Sequence, residues 1–290
     1  MASIDWSTPS SCAAGLRREV GRFIAARGDQ PWRVAWCAGT GFVGADERAL
    51  EVERAALAAT LETLASALHP ERGAFFFASS AGGVYAGVGT PPYDEHSPVR
   101  SLTAYGDAKL HAEAVVAEWS GDTRTSVLIG RITTLYGPGQ NLAKPQGIIS
   151  QVCGSYLSGR PSSIYVPLDT IRDYLFVADC ARLVADGLSR LERERTIAGS
   201  LVVTKILASQ RPITVGAVLG EMRRIFKGSA RYVVAASGLS SVQTRDLSFR
   251  SRVWPELDHR TLTPLPVGVA RTAADLLSRL QQGELANAAR

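Results

Sequence analysis

Apolar residues recur along this chain with two different periods. Within residues 10–27, Leu16, Val20, Phe23 and Ile24 fall three and four apart, which predicts an amphipathic helix capped by Ser10 or Ser11. Residues 33–38, RVAWCA, read as a short buried strand. An Ala- and Leu-rich stretch over 46–68 predicts a helix that stops before Pro70. GAFFFASS, residues 73–80, has an unbroken apolar centre bounded by Gly and Ser, the pattern of a central parallel strand. A Gly- and Pro-rich loop runs to about residue 102, then a helix over 103–119 and a strand over 125–131. The region 136–176 is looser, with YGPGQN, a short helix at 147–159 and SIYVPLDTIRDYLFV. A helix at 177–192, a strand at 201–206 and a helix at 213–226 follow; beyond about 231 only a last helix near 267–282 stands out. Strands alternating with helices predict an α/β fold, a parallel sheet with helices on both faces.

Composition narrows the class. With 290 residues, 46% hydrophobic and 20% charged, the chain can bury a sizeable core in one large or two modest soluble domains. Lys and Arg outnumber Asp and Glu by 32 to 27, a formal charge of +5, but the arginines are scattered and form no stripe for nucleic acid. Cys12, Cys37, Cys153 and Cys180 show no C-x-x-C spacing, and the histidines do not join them at metal-ligand intervals. A reducing, cytoplasmic setting, core positions for Cys37 and Cys180 and no structural metal are the expectations. The opening MASIDWSTPSS has no basic region followed by an apolar core, so no signal peptide is expected, and no apolar run approaches the ~18 residues of a membrane span, so no membrane partner is expected.

The candidate chemistry lies at a strand end and a helix start. Ser80 closes GAFFFASS, and Tyr105-Gly-Asp-Ala-Lys109 opens the next helix. A spacing of four sets Tyr105 and Lys109 on one helix face, a turn apart. An ammonium beside a phenol favours the phenolate, so a lowered pKa is expected for Tyr105. Such a phenol can take a proton from an alcohol while hydride leaves the same carbon, with Ser80 hydrogen-bonded to that oxygen. Taken alone, Tyr-x-x-x-Lys also describes an ordinary solvated helix face.

The context adds to it. FFFASSAGGVYAG, PPYDEHSP, TAYGDAKLHAE, VLIGRITTLYGPGQN and IRDYLFVADCARLV occur in this order. Together they resemble the extended short-chain dehydrogenase/reductase family, in particular its NAD-dependent sugar-nucleotide epimerases and dehydratases. The resemblance runs from about residue 4 to about 260 and is most specific over 74–180. It implies a Rossmann-like parallel sheet, N-terminally truncated, with a smaller C-terminal substrate-binding part. Residues 1–135 and 173–212 would form the cofactor domain, and 136–172 and 213–290 the substrate part.

Carried over by position, the resemblance makes Tyr105 the catalytic base and acid. Lys109 would lower its pKa and hold the nicotinamide ribose, and Ser80 would polarise the sugar oxygen. Gly82-Gly83 adds one residue before Val84-Tyr85, so Ser79 or Ser80 fits the serine slot, and Ser79 is also a substrate-binding candidate. Arg172 matches an arginine that pairs with the sugar-nucleotide diphosphate, a role suited to a bidentate guanidinium; the competing reading is a salt bridge to Asp173 or Asp179. Asn141 and Gln146 lie where relatives enclose the nucleotide, and Thr134 falls where the family usually has a substrate-contacting Asn. Arg245 and Arg250 are candidates for a second phosphate-binding arginine. In the 4,6-dehydratases the serine is Thr followed by Asp-Glu; here Ala81, Gly82 and Gly83 follow, so water elimination lacks its acid–base pair.

One motif competes for the cofactor. Gly39-Thr40-Gly41-Phe42-Val43-Gly44 reads G-x-G-x-x-G between a strand and a helix, the dinucleotide fingerprint. In a true fingerprint the next strand ends in Asp or Glu about 20 residues on; here it ends in Ser79-Ser80. The resemblance places this segment at the family's fourth strand leading to the fifth, which makes the motif a decoy. Cys37, Ala38 and Gly39 would pass the cofactor with their backbone, and Asp5 would meet the adenine. The chain is then expected to start near the family's third strand, without the β-α-β-α-β of about 60 residues that carries the glycine-rich loop. VAWCAG would become a sheet edge, and NAD or NADP would bind weakly.

Two functions follow from these features. The first is an NAD(P)-dependent epimerase or oxidoreductase acting at C4 of a nucleotide-diphosphate sugar, a cytoplasmic homodimer joined through the helices at 46–68 and 103–119. The second is a catalytically inactive homologue that binds sugar nucleotides or serves in assembly.

Overall fold

Local capping sets where the first elements begin. In the computed structural model, which describes residues 4–39, 41, 44–87, 89–142, 144, 146–228, 232–234 and 244–284, α1 (Pro9–Arg27) is capped by Thr8 rather than Ser10 or Ser11. Thr8 Oγ1 accepts from the Ser11 N–H at 3.2 Å, and Pro9 occupies the first turn, where no amide hydrogen is needed. β1 (Trp32–Trp36) ends before Cys37. α2 (Glu47–Ala65) starts at Asp46, whose Oδ1 accepts from Ala49 N at 2.8 Å. β2 (Gly73–Ser80) runs parallel to β1, with Trp32 opposite Gly73 and Trp36 opposite Phe77.

Part of the expected loop after β2 is helical. Ser80 Oγ accepts from Gly83 N at 3.2 Å and starts the short α3 (Ala81–Tyr85). α4 (Ala104–Thr123) follows, capped by Thr103, and then β3 (Ser126–Ile132), β4 (Thr134–Tyr136), α5 (Ile148–Ser158), β5 (Ser162–Ile164) and β6 (Ile171–Phe176). The chain continues through α6 (Val177–Ala198), β7 (Val202–Leu207), β8 (Pro212–Thr214), α7 (Val215–Phe226), β9 (Tyr232–Val234), β10 (Asp246–Leu247) and α8 (Leu265–Gln281).

The chain divides into two compact units. The first comprises residues 1–88, 98–131 and 184–205; the second comprises 89–97, 132–183 and 206–290. Residues 132–135, 173–183 and 206–212, expected with the cofactor part, belong to the second unit, as does the 89–97 segment. That segment is held there by pairing: Tyr93 N donates to Ser248 O at 2.9 Å, and Arg250 N to Tyr93 O at 2.8 Å.

The first unit is built on a sheet of order β1-β2-β3-β7. Its core joins Trp32, Trp36, Phe75 and Phe77 of the sheet to Leu57, Leu61 and Leu64 of α2 and Val116 of α4. Leu16, Val20 and Ile24 of α1 pack against it, whereas Phe23 on the same helix is 37% exposed. The second unit has β10-β6-β4 with β8 antiparallel on β6. Tyr136, Tyr174 and Phe176 there pack against Ile149 and Cys153 of α5, Met222 of α7 and Val269 of α8.

Two outcomes test this packing. A Cβ at Gly73 would lie 2.1 Å from the buried Trp32 ring, so Gly73→Ala is expected to cost about 1–3 kcal/mol in urea unfolding. In the second unit, burial pushes the Cys153 thiol and the Tyr174 phenol up to about 12, from ordinary values of 9.0 and 10.0. The unfolded chain therefore loses these protons first. Above pH 9.0 the folded state holds more protons, and stability should fall as pH rises toward 12. Tyr174→Phe should flatten that fall in unfolding curves measured at successive pH values.

Candidate active site

The site is formed where α4 meets the end of β2. The close approach depends on Gly106: a Cβ there would lie 2.3 Å from Gly83 O and 2.5 Å from Ser101 Oγ. With hydrogen at that position, the first turn of α4 lies on α3, and the Tyr105 ring and Ser80 Oγ both come within 3.3 Å of where a Cβ at Gly83 would stand, close enough for the hydroxyl to lower the phenol's pKa. Ser80 thus serves twice, as the α3 cap and as the partner of the phenol. Lys109, one turn along, donates from Nζ to Ala78 O at 3.3 Å, and Nζ stands 5.6 Å from the centre of the Tyr105 ring and 5.4 Å from that of Phe77. The structure therefore brings Ser80, Tyr105 and Lys109 together within one unit.

Two expectations change. The Tyr105 phenol is pushed up, not down: desolvation outweighs the lowering hydrogen bond from Ser80, and the Glu53 carboxylate adds to the rise. The ammonium of Lys109 is turned to a backbone carbonyl. Ser79, a substrate-binding candidate, is 5% exposed and donates to Glu113 Oε1 at 2.5 Å. Its hydroxyl is committed to the buried Glu113 carboxylate, and Ser79 does not line the cleft that Tyr105 and Lys109 share.

Tyr105, Lys109, Trp36, Phe77, Glu53 and His111 line a cleft of about 180 Å³. Glu53 was not visible as a site residue, because nothing in the Ala-rich sequence of α2 separates it from a surface carboxylate. Its Oε1 accepts from Gly41 N, and a Cβ at Gly39, where φ is +138°, would lie 2.7 Å from its carboxylate. Cys37 is exposed rather than in the core, since β1 ends one residue earlier; desolvation nonetheless raises its thiol pKa against the lowering field of Lys109. Ala38 is partly exposed and Gly39 exposed. Asp5 is exposed, and its carboxylate accepts from Ser7 N at 2.9 Å. Cys180 is buried, as expected.

The remaining candidates lie in the second unit. Thr134 opens β4 opposite Tyr174 of β6. Asn141 and Gln146 are exposed. Arg172 makes neither expected salt bridge: Asp173 accepts from Thr133 and Ser209, and Asp179 pairs with Arg182. Arg172 Nη1 donates instead to Ile171 O at 2.7 Å and Thr244 O at 2.9 Å, and burial lowers its pKa. Arg245 pairs with Asp169, and Arg250 is exposed.

A parallel strand pair ending in a serine, with a tyrosine and a lysine presented by α4, places the chain among α/β proteins with a parallel sheet. The chain belongs to the NAD dependent epimerase/dehydratase family, whose model matches residues 17–196. It is 29% identical over 101 residues to a dTDP-L-rhamnose 4-epimerase of Burkholderia thailandensis, covering 34% of this chain and 28% of that one. The matched segments span only about a third of the length of the curated relatives, 35% and 36% in two others. The fold is that of a UDP-glucose 4-epimerase of Thermus thermophilus solved with NAD, at TM-score 0.71 and 18% identity, covering 91% of this chain and 82% of that one. It is also that of an epimerase from Methanothermobacter thermautotrophicus, at TM-score 0.75 and 21% identity, covering 91% and 76%. Among the described residues, no helix is long and apolar enough to cross a membrane.

The donor set at Tyr105 and Lys109, a phenol and an ammonium on one cleft, fits the nicotinamide-ribose end of such a dinucleotide. At the described positions of Gly39–Gly44, carboxylates oppose a pyrophosphate. Glu53 takes the Gly41 N–H, and Asp46 and Glu47 set carboxylates at the α2 N-terminus, where a phosphate would need open amides. Thr40, Phe42 and Val43 of this motif lie outside the described residues.

Gly106→Ala tests the close approach. The added methyl must push α4 from α3, at about 1–3 kcal/mol of stability, read by urea unfolding.

Proposed function

We propose that this chain is an NAD(P)-dependent epimerase or oxidoreductase that works at C4 of a nucleotide-diphosphate sugar. The observation that carries the reading is the Ser80–Tyr105–Lys109 arrangement in a chain of this family. The bound dinucleotide would supply the hydride acceptor and donor. Tyr105 exchanges the proton: the phenol gives its proton to a C4 keto oxygen as hydride reaches that carbon, and the phenolate so formed takes the C4 hydroxyl proton as hydride leaves. Ser80 Oγ, already beside the phenol, holds the same oxygen. Lys109 holds the ribose and adds positive charge near the phenol. With its raised pKa the phenol starts protonated, which suits donation to a keto oxygen. Arg172, with Thr134 and Asn141, would receive the sugar nucleotide, the guanidinium exchanging backbone carbonyls for phosphate oxygens. A cytoplasmic homodimer joined through α2 and α4 belongs to the same reading and rests on the family resemblance.

A second reading is favoured by one observation, the carboxylates of Asp46 and Glu53 at the glycine segment. In that reading the chain binds sugar nucleotides without catalysis.

Calorimetric titration with NAD and a panel of UDP-hexoses, with turnover of wild type and Tyr105→Phe, separates the two. The enzyme reading expects NAD binding and a loss of about 10²–10⁴-fold in Tyr105→Phe. Equal rates in the two proteins overturn it. Sugar-nucleotide binding without NAD binding or turnover selects the second reading.

A further inference from the structure

Glu113 stands two turns beyond Tyr105 on α4 and is buried, with 9% of its side chain exposed. Both of its carboxylate oxygens are taken. Oε1 accepts from Ser79 Oγ at 2.5 Å and from Arg131 Nε at 3.1 Å, and Oε2 accepts from Arg131 Nη2 at 2.7 Å. Arg131, at the end of β3, donates its remaining Nη1 to Tyr85 Oη at 2.6 Å, with the guanidinium 5.1 Å from the centre of the Tyr85 ring. Tyr85 ends α3, the helix that Ser80 begins.

The last residues of β2 are thus met by three turns of one helix. Ala78 O accepts from Lys109, Ser79 Oγ donates to Glu113, and Ser80 Oγ stands beside the Tyr105 ring across Gly83. The α3 turn between Ser80 and Tyr85 is anchored at one end by Tyr105 and at the other by Arg131. A helix lying on a sheet can slide or roll by fractions of an ångström at little cost when only apolar side chains meet. A buried carboxylate with three donors of fixed direction cannot, because any shift leaves a desolvated charge unpaired.

We propose that Glu113 is a positioning residue for the tyrosine site: by joining Ser79 and Arg131 it sets the depth at which Tyr105 meets Ser80. Arg131 and Tyr85 extend the same brace to the far end of α3. None of these groups touches the cleft that Tyr105 and Lys109 line. The inference concerns the site on which the proposed function rests, but it is tested without turnover.

The test uses ring-labelled tyrosine and NMR on the full chain at neutral pH. The Tyr105 Cζ resonance is assigned by its loss in Tyr105→Phe and reports the hydrogen bond of the phenol. Ser79→Ala removes one hydroxyl and leaves the Glu113–Arg131 pair intact. Glu113→Gln keeps the shape and removes the charge. The resonance should shift in both and return to its wild-type position in Ser79→Thr, which restores a hydroxyl. If Glu113→Gln does not fold, Ser79→Ala against Ser79→Thr decides alone. A resonance that stays at its wild-type position in folded Ser79→Ala, whatever the change in melting temperature, overturns the proposal and leaves Glu113 a purely structural ion pair. A wild-type protein without turnover would end the enzyme reading and leave this result standing.

Discussion

The distance between α4 and the end of β2 governs the rest of the site. A phenol and a serine hydroxyl meet here only because Gly106 lets the helix lie on Gly83 and because the face of α4 repeats its polar residues every four positions. That spacing matches a helix turn of 3.6 residues closely enough to keep Tyr105, Lys109 and Glu113 on one side. The apolar residues Phe75, Phe77 and Val116 supply the driving force for packing. They do not set its register. The polar contacts do, because hydrogen bonds are directional and buried charges tolerate no loss of partners.

Electrostatics within the first unit hold the phenol in its protonated form. Burial and the Glu53 carboxylate act in one direction and the Ser80 hydrogen bond in the other, and the first two win. An ammonium one helix turn away need not lower a phenol's pKa. Lys109 reaches Ala78 O instead, with Nζ 5.4 Å from the Phe77 ring centre and 5.6 Å from that of Tyr105. The same carboxylate closes the glycine segment after β1 by accepting from Gly41 N. A G-x-G-x-x-G pattern binds phosphate only when its amides are open and the next helix begins there. Here α2 begins behind its own Asp46 cap.

In the second unit an arginine is hydrogen-bonded to backbone carbonyl oxygens, with the Asp246 carboxylate in its field. Arg172 donates to the backbone of Ile171 and Thr244, and burial lowers its pKa. Burial prevails over the opposing field of the Asp246 carboxylate, which acts from a distance and takes no part in these hydrogen bonds of the guanidinium. The neighbouring Asp173 is used elsewhere, accepting from Thr133 Oγ1 at 3.1 Å and from Ser209 N at 2.7 Å.

Much of this was legible from the amino-acid order. The apolar run of β2 and the alternation of strands and helices follow from local periodicity, and so does the one-face spacing of Tyr105 and Lys109. The motifs around them carried the family resemblance. Periodicity sufficed because each of these features is settled within a few residues along the chain. The tertiary structure alone decided which serine stands beside the phenol, where Lys109 sends its charge, which carboxylate takes the Gly41 N–H and which carbonyls hold Arg172. Ser79 and Glu113 lie 34 positions apart, and Ala78 and Lys109 lie 31 apart. Contacts of that range depend on how a helix seats on a sheet, and a linear pattern of polar and apolar residues does not specify that seating.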